Sequence, residues 1–233
     1  MTSKGLQNRK RVMLSWSSGK DSAWTLYQLQ QSPDYEVVAL FSTLNQQFDR
    51  VAMHGVRNTL LQAQASATGL PLEIVYLPWP CSNQDYEQLM SQALEDFIKR
   101  YHIEVMAFGD LHLEDIRRYR EKNLASTPLE PLFPLWGMDV SLLAREMIDG
   151  GLQAVLTCID PKQSPFRIAG QAFDHALLDS LPATIDHCGE NGEFHTFVHA
   201  GPMFQQSIAI LAGEIVERDN FIYADFSLLE SQL

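Results

Sequence analysis

The run Ser17-Ser18-Gly19-Lys20-Asp21-Ser22 stands between a short apolar stretch, "RVMLSW", and an amphipathic one that begins at Ala23. Serine hydroxyls, one lysine and the free N–H groups of a starting helix are the usual components of an anion site, and Gly19 lets the backbone approach closely. Asp21 adds a carboxylate able to orient the loop or a metal-bound water. Two well-known phosphate loops are excluded by spacing. Placing the Gly-Lys pair of a Walker A loop on Gly19 and Lys20 puts Leu14 where a glycine belongs and Asp21 where a hydroxyl belongs. A dinucleotide-binding turn needs more than the single glycine found here. The competing reading is a serine-rich cap on an ordinary helix, with Lys20 in solvent.

Two later stretches also carry chemistry. "GDLHLEDIRRYREKNL" (residues 109–124) places Gly109 and Asp110 at the end of an apolar run, followed by a charged helix. Glu114 with Arg118 and Arg117 with Glu121 are four-residue helix pairs that need no ligand. Arg118, Arg120 and Lys122 read as a solvated face. "CGENGEFHTFV" (residues 188–198) sets Glu190 and Glu193 around Asn191-Gly192, a pairing that favours a polar turn by itself. His195 and His199 have a spacing often seen in zinc sites. On a strand, however, they lie roughly 13 Å apart at about 3.3 Å per residue, and the residues between them favour a strand. No residue is assigned to a metal. His54, in the loop before a predicted second helix, is a lone histidine of the kind more often structural than functional. Cys188 has no partner cysteine of the CxxC kind.

The elements that must position these residues alternate. "RVMLSW", "YEVVALFST", "LEIVYL" and "EVMAFGD" read as strands. Helices are predicted at residues 23–31, about 56–67 (closed by Gly69 and Pro71) and from about residue 83. In the last of these Tyr86, Met90, Leu94, Phe97 and Tyr101 share a face, and Ser82 with Asp85 forms a capping pair. Such alternation implies right-handed crossovers and a parallel sheet covered on both faces, with ligands at the carboxyl ends of the strands. After about Thr127 the texture changes. Three prolines in "TPLEPLFPLWG" exclude a long regular element. A helix at about 140–148, a strand in "LQAVLTCI" and three further strands follow. The expected organisation is an α/β, Rossmann-like domain at 1–126 and a smaller α+β lobe at 127–233.

The chain has 233 residues and a formal net charge of −12, which argues against a nucleic-acid surface and requires any nucleotide site to be locally positive. The first nine residues are polar, no apolar run reaches membrane-spanning length, and three scattered cysteines suggest reduced thiols. The expectation is a cytoplasmic protein without a membrane partner.

The opening loop resembles the "SGGxDS" loop of PP-loop ATP pyrophosphatases (the adenine nucleotide alpha-hydrolase-like group, of HUP type), with Ser18 in place of one glycine. "GDLHLEDIRRYREKNL", "CGENGEFHTFV", "PLFPLWG" and "GLQAVLTCID" resemble the diphthine–ammonia ligase family within that group, so the similarity runs from the first strand to about Phe204. The resemblance implies that ATP, with Mg²⁺, adenylates a carboxylate and releases pyrophosphate, and that ammonia then forms an amide. Ser17, Ser18, Gly19, Lys20, Asp21 and Ser22 would hold the nucleotide, with His54, Gly109 and Asp110 beside it. Glu190, Asn191, Glu193, His195, Glu114 and Arg117 would serve the substrate and the ammonia step. The carboxylate is open between a small molecule and a modified protein side chain, and a homodimer is left open. The rivals are a tRNA-modifying PP-loop enzyme and a non-catalytic adenine-nucleotide sensor.

Overall fold

The computed structural model describes residues 9–51, 55–164 and 168–229. Its order is β1 (Lys10–Ser15), α1 (Lys20–Gln31), β2 (Tyr35–Asn45), β3 (Arg50–Val51), α2 (Asn58–Thr68), β4 (Leu72–Leu77), α3 (Asn83–Tyr101), β5 (Val105–Ala107), α4 (Glu114–Leu124) and β6 (Glu130–Leu132). There follow α5 (Val140–Asp149), β7 (Gln153–Ile159), α6 (His175–Ser180), β8 (Phe194–Ala200), β9 (Ile210–Arg218) and β10 (Phe221–Leu228).

β1 lies at the centre of the larger sheet, parallel to β2 on one side and to β5 on the other. β4 extends the parallel sheet beyond β2, and β6 extends it beyond β5. Alternate residues of β1 therefore serve opposite cores. Val12 and Leu14 pack in the cluster that holds Leu26 of α1, Leu60 of α2 and Leu143 of α5. Met13 faces the other way, into a cluster with Leu94 and Phe97 of α3 and Leu124 of α4. This two-sided burial explains why "RVMLS" is apolar throughout instead of alternating. The strand order reverses between β1 and β5. The loops leaving these two strands, residues 16–19 and 108–113, stand side by side at the carboxyl edge of the sheet, where open α/β sheets bind ligands.

The second sheet is antiparallel, in the order β8-β7-β10-β9. It meets the first through β8 and through Asp225 of β10. The Asp225 carboxylate accepts from Arg50 at 3.0 Å and from the Arg57 guanidinium.

Most predicted elements are present. The capping box of Ser82 and Asp85 closes the start of α3, and Gly69, at φ +74°, ends α2 in the left-handed conformation. Helix α1 begins at Lys20, three residues before its apolar pattern does, because Gly19 in extended conformation is its N-cap. The proline-rich segment still supplies β6, a three-residue edge strand on which Pro131 is tolerated, and it pairs with the first sheet. The six-residue helix α6 is too short to show a period.

The contact between the two switch-point loops depends on Gly109. A β-carbon there would meet the Asp21 carbonyl carbon at 2.9 Å and the Ser22 nitrogen at 3.0 Å, both backbone atoms of the first turn of α1. Gly109→Ala is expected to destabilise the protein by about 1–3 kcal/mol through overpacking. Urea unfolding checks this, and an unchanged midpoint would contradict the close approach.

Candidate active site

The first loop is shaped by its hydroxyls. Ser17 and Ser22 Oγ atoms lie 3.2 Å apart, the Ser17 N–H faces Ser22 Oγ at 3.3 Å, and Ser22 Oγ donates to the Gly19 carbonyl at 3.0 Å. Ser18 sits between them at φ +71°, in the left-handed region that glycine adopts freely and serine does not. Such a residue costs on the order of 1–2 kcal/mol unless its surroundings hold it. Its carbonyl accepts from the Val198 N–H of β8 at 3.1 Å and from Gln64 Nε2 of α2 at 3.0 Å. Its hydroxyl is wholly buried with no hydrogen-bond partner among the described residues. The Lys20 N–H donates to Thr196 Oγ1 of β8 at 3.1 Å. The second sheet thus builds half of the loop's support.

Lys20 does not stand in solvent. Its side chain is 3% exposed, with Nζ bonded to Asp21 at 2.8 Å and to the Cys188 carbonyl, and it lies between the rings of Phe173 and Phe194. Burial pulls the ammonium pKa down, but the Asp21 carboxylate and the nearby Glu190 outweigh that and raise it. Asp21 is raised by burial against the pull of Lys20, and its Oδ1 atom has no partner among the described residues.

The second loop meets the turn before β8. The Leu111 N–H donates to Glu190 Oε1 at 2.8 Å, and His112 Nε2 lies 2.9 Å from Asp186. Burial raises the Glu190 carboxyl and the charges of Asp21 and Asp110 add to it, while the Leu111 bond and the charge of Lys20 oppose the rise, leaving it at about 7. Glu193 plays a different part. It is 3% exposed, and Oε1 accepts from the Asp186 N–H at 3.1 Å and from Asn191 Nδ2 at 3.0 Å, which fixes the turn that presents Glu190. Burial, then the charge of Lys20, lowers His195 to about 4, so it is neutral near pH 7.

Asp110 is raised by burial and paired with Arg120 at 3.4 Å. Arg120 also lies over Phe108, which corrects its assignment to a solvated face: Asp110 and an aromatic ring draw it inward. Arg117 bonds Glu121 at 2.8 Å, as the helix spacing predicts, and lies against Phe133 and Trp136. Arg118 pairs with Asp115, not with Glu114, and Glu114 is exposed on the first turn of α4. Cys188 is buried, its thiol pushed up by burial, which leaves no reactive thiolate. His54 lies outside the described residues.

Beside the loops a cavity of about 380 Å³ opens between α3 and α4. Phe41 and Met106 belong to its sheet side, Tyr86, Met90 and Leu94 to α3 and Arg120 to α4, while Ser15 ends β1 and Phe108 opens the second switch-point loop. Neither this cavity nor Gln64 was marked by a motif. Gln64 had one signal: it falls on the buried stripe of α2 with Leu60, Leu61 and Ala65, where a polar residue needs a partner.

Titration of Glu190 has a consequence for stability. A carboxyl raised in the folded state favours folding below its unfolded pKa, and the advantage is lost as pH rises through about 7. Glu190→Gln should therefore gain stability relative to the parent between pH 5 and pH 8. Parallel denaturant midpoints in both proteins measure this, and a constant difference across the range would refute it.

Comparison with known proteins bears on the same residues. Residues 10–125 match the family model described as the diphthamide synthase N-terminal domain, and residues 139–226 match that of the diphthamide synthase C-terminal domain. The chain is similar to the diphthine–ammonia ligase of Danio rerio, 28% identical over 242 residues that span 94% of this chain and 93% of that protein. It is 25% identical to the diphthine–ammonia ligase of Homo sapiens over 229 residues, 88% of this chain and 85% of that one. The same-named protein of Schizosaccharomyces pombe is 27% identical over 88% of this chain, which spans only 36% of that protein.

Proposed function

The chain belongs to the diphthamide synthase family, and on that premise we propose that it is an ATP-dependent ligase that joins ammonia to a carboxylate. The observation that carries the reading is the meeting of an anion-binding loop and a carboxyl poised near neutrality at one switch point. Ser17, Ser18, Gly19 and Ser22, with the N–H groups opening α1, grip the phosphates, and Lys20 contributes its charge at short range. The cavity between α3 and α4 suits the nucleoside, since it is apolar on its sheet side, carries polar residues of α3 and α4, and includes Ser15, the residue of β1 that directly precedes the loop.

The chemistry follows in two steps. A substrate carboxylate oxygen attacks the α-phosphorus, the bond to the β-phosphate bridge breaks, and pyrophosphate leaves. The nitrogen lone pair of ammonia then attacks the acyl carbon, the acyl–oxygen bond breaks, and AMP departs. The surplus proton of the nitrogen passes to Glu190, whose pKa of about 7 suits a base at neutral pH. Asp110 lies beside it, and the neutral His195 lines the approach from β8. Gly109 holds the second loop against the first. Glu193 and Asn191 keep Glu190 in place, and Glu114 and Arg117 border the substrate side.

Mg²⁺ suits this site as an ion carried by the phosphates. Among the described residues no three acidic, His or Cys groups converge to cage a metal, but Asp21 offers a buried carboxylate oxygen without a partner. Bound there, the ion would neutralise the charge of the departing pyrophosphate. The carboxylate substrate is proposed as diphthine or a chemically similar acid, by likeness to the named relatives. No described helix is long and apolar enough to cross a membrane. A cytoplasmic location fits this chemistry, and a homodimer is compatible with it.

The test is product analysis with Mg-ATP, ammonium and a diphthine-bearing acceptor. AMP and pyrophosphate in equal amounts with the amide are expected, and ADP with phosphate would overturn the reading. Glu190→Gln should retain ATP binding and lose amide formation by about 100-fold or more, the usual scale for a general base; a normal amide yield would remove it from the mechanism. Met90→Trp, which fills the cavity, should raise the KM for ATP with kcat little changed, and an unaltered KM would place the nucleoside elsewhere.

A further inference from the structure

Gln64 is fully buried on α2, and each of its amide atoms is used. Oε1 accepts from Trp16 Nε1 at 2.9 Å, and Nε2 donates to the Ser18 carbonyl at 3.0 Å and to the Val198 carbonyl at 2.6 Å. Trp16 and Ser18 bracket Ser17 in the loop, and Val198 lies on β8 of the other sheet. One side chain therefore ties the loop, a helix of the first lobe and a strand of the second.

One of these bonds reaches the loop residue whose backbone is unfavourable, and the other two fix its neighbours Trp16 and Val198. Ser18 adopts φ +71° without being glycine, and its own hydroxyl makes no bond among the described residues that would stabilise the turn. What holds it is its carbonyl, fixed by Gln64 Nε2 and the Val198 N–H together. The φ and ψ of Ser18 in turn set the direction of the chain through Gly19 and the start of α1.

We propose that Gln64 is a positioning residue for nucleotide binding: it clamps Ser18 in the left-handed conformation and so aims the loop's N–H groups and hydroxyls at the phosphates. The proposal rests on the reading of this loop as the nucleotide's phosphate site. Its specific content is a coupling between Gln64 and Ser18. Glycine enters the left-handed region without help, so a Ser18→Gly loop depends less on the clamp.

The experiment is a double-mutant cycle on Mg-ATP binding by calorimetry, in the full chain and without acceptor substrate. Gln64→Met should weaken binding by about tenfold in the parent and by about threefold or less in Ser18→Gly, the difference being the coupling. A general loss of packing would instead weaken both by the same factor, and equal factors overturn the proposal. Gln64→Glu keeps the length and the acceptor for Trp16 but can donate at most one bond, and only while protonated. Its ATP affinity should fall as pH rises from 6 to 8 relative to the parent, and a parallel profile would count against the clamp. A ligand-free measurement separates this idea from the nucleotide reading. Exchange of the Val198 amide hydrogen, whose acceptor is Ser18, should quicken in Gln64→Met and recover in part with Ser18→Gly. Unchanged exchange refutes the clamp, whereas intact coupling in a parent protein that binds no Mg-ATP refutes only the nucleotide reading.

Discussion

The carbonyl of Ser18 is a point at which the two sheets meet. A loop residue of the first sheet is held in the left-handed conformation by an N–H from β8 of the second sheet and an amide from α2. Two residues on, the Lys20 N–H closes on Thr196 of the same strand. The conformation of this loop is therefore not a property of the parallel sheet alone. Its geometry is completed by a strand that arrives about 180 residues later, so the second sheet is a structural partner of the proposed nucleotide site.

Electrostatics favours the same division of labour. The chain is acidic overall, and the one buried lysine of the site already bonds Asp21 and feels Glu190, while Asp186 acts on Asp21 and Asp110 on Glu190. In the proposed site, attraction for the phosphates would come from the N–H groups at the start of α1, from Lys20 at short range and from a cation that travels with the nucleotide. In the proposed mechanism the neighbouring carboxylates have a chemical use as well. Burial and neighbouring negative charge keep Glu190 near neutrality, where it can take a proton, whereas an isolated surface glutamate would be too weak a base. Glu193, three residues on, has its Oε1 committed to hydrogen bonds that fix the turn.

The parallel sheet was legible because its strands and helices follow periods that local chemistry enforces. "LEIVYL" coincides with β4, and the Ser82–Asp85 box marks the start of α3. The loop was legible for a similar reason, since hydroxyls, glycine and lysine gather there within six residues. What escaped depends on partners distant in the chain. The inward turn of Arg120 answers to Asp110 and Phe108, and the burial of Lys20 answers to Phe173 and Phe194. Gln64 escaped because a glutamine on an apolar stripe names a need for partners and not their identity. Serine at position 18 raised the question of backbone geometry in the sequence, and the positive φ shows that the position needs what glycine would give freely.

The claim that the loop and β8 together hold the nucleotide is open to one direct measurement. Amide hydrogen exchange of the full chain is recorded with and without a non-cleavable α,β-methylene analogue of Mg-ATP. Exchange should slow together in the segments 16–23 and 194–200, on opposite sides of the lobe boundary, and in 86–94 along the cavity. Protection confined to other segments, with both the loop and β8 unchanged at saturating ligand, would contradict the account.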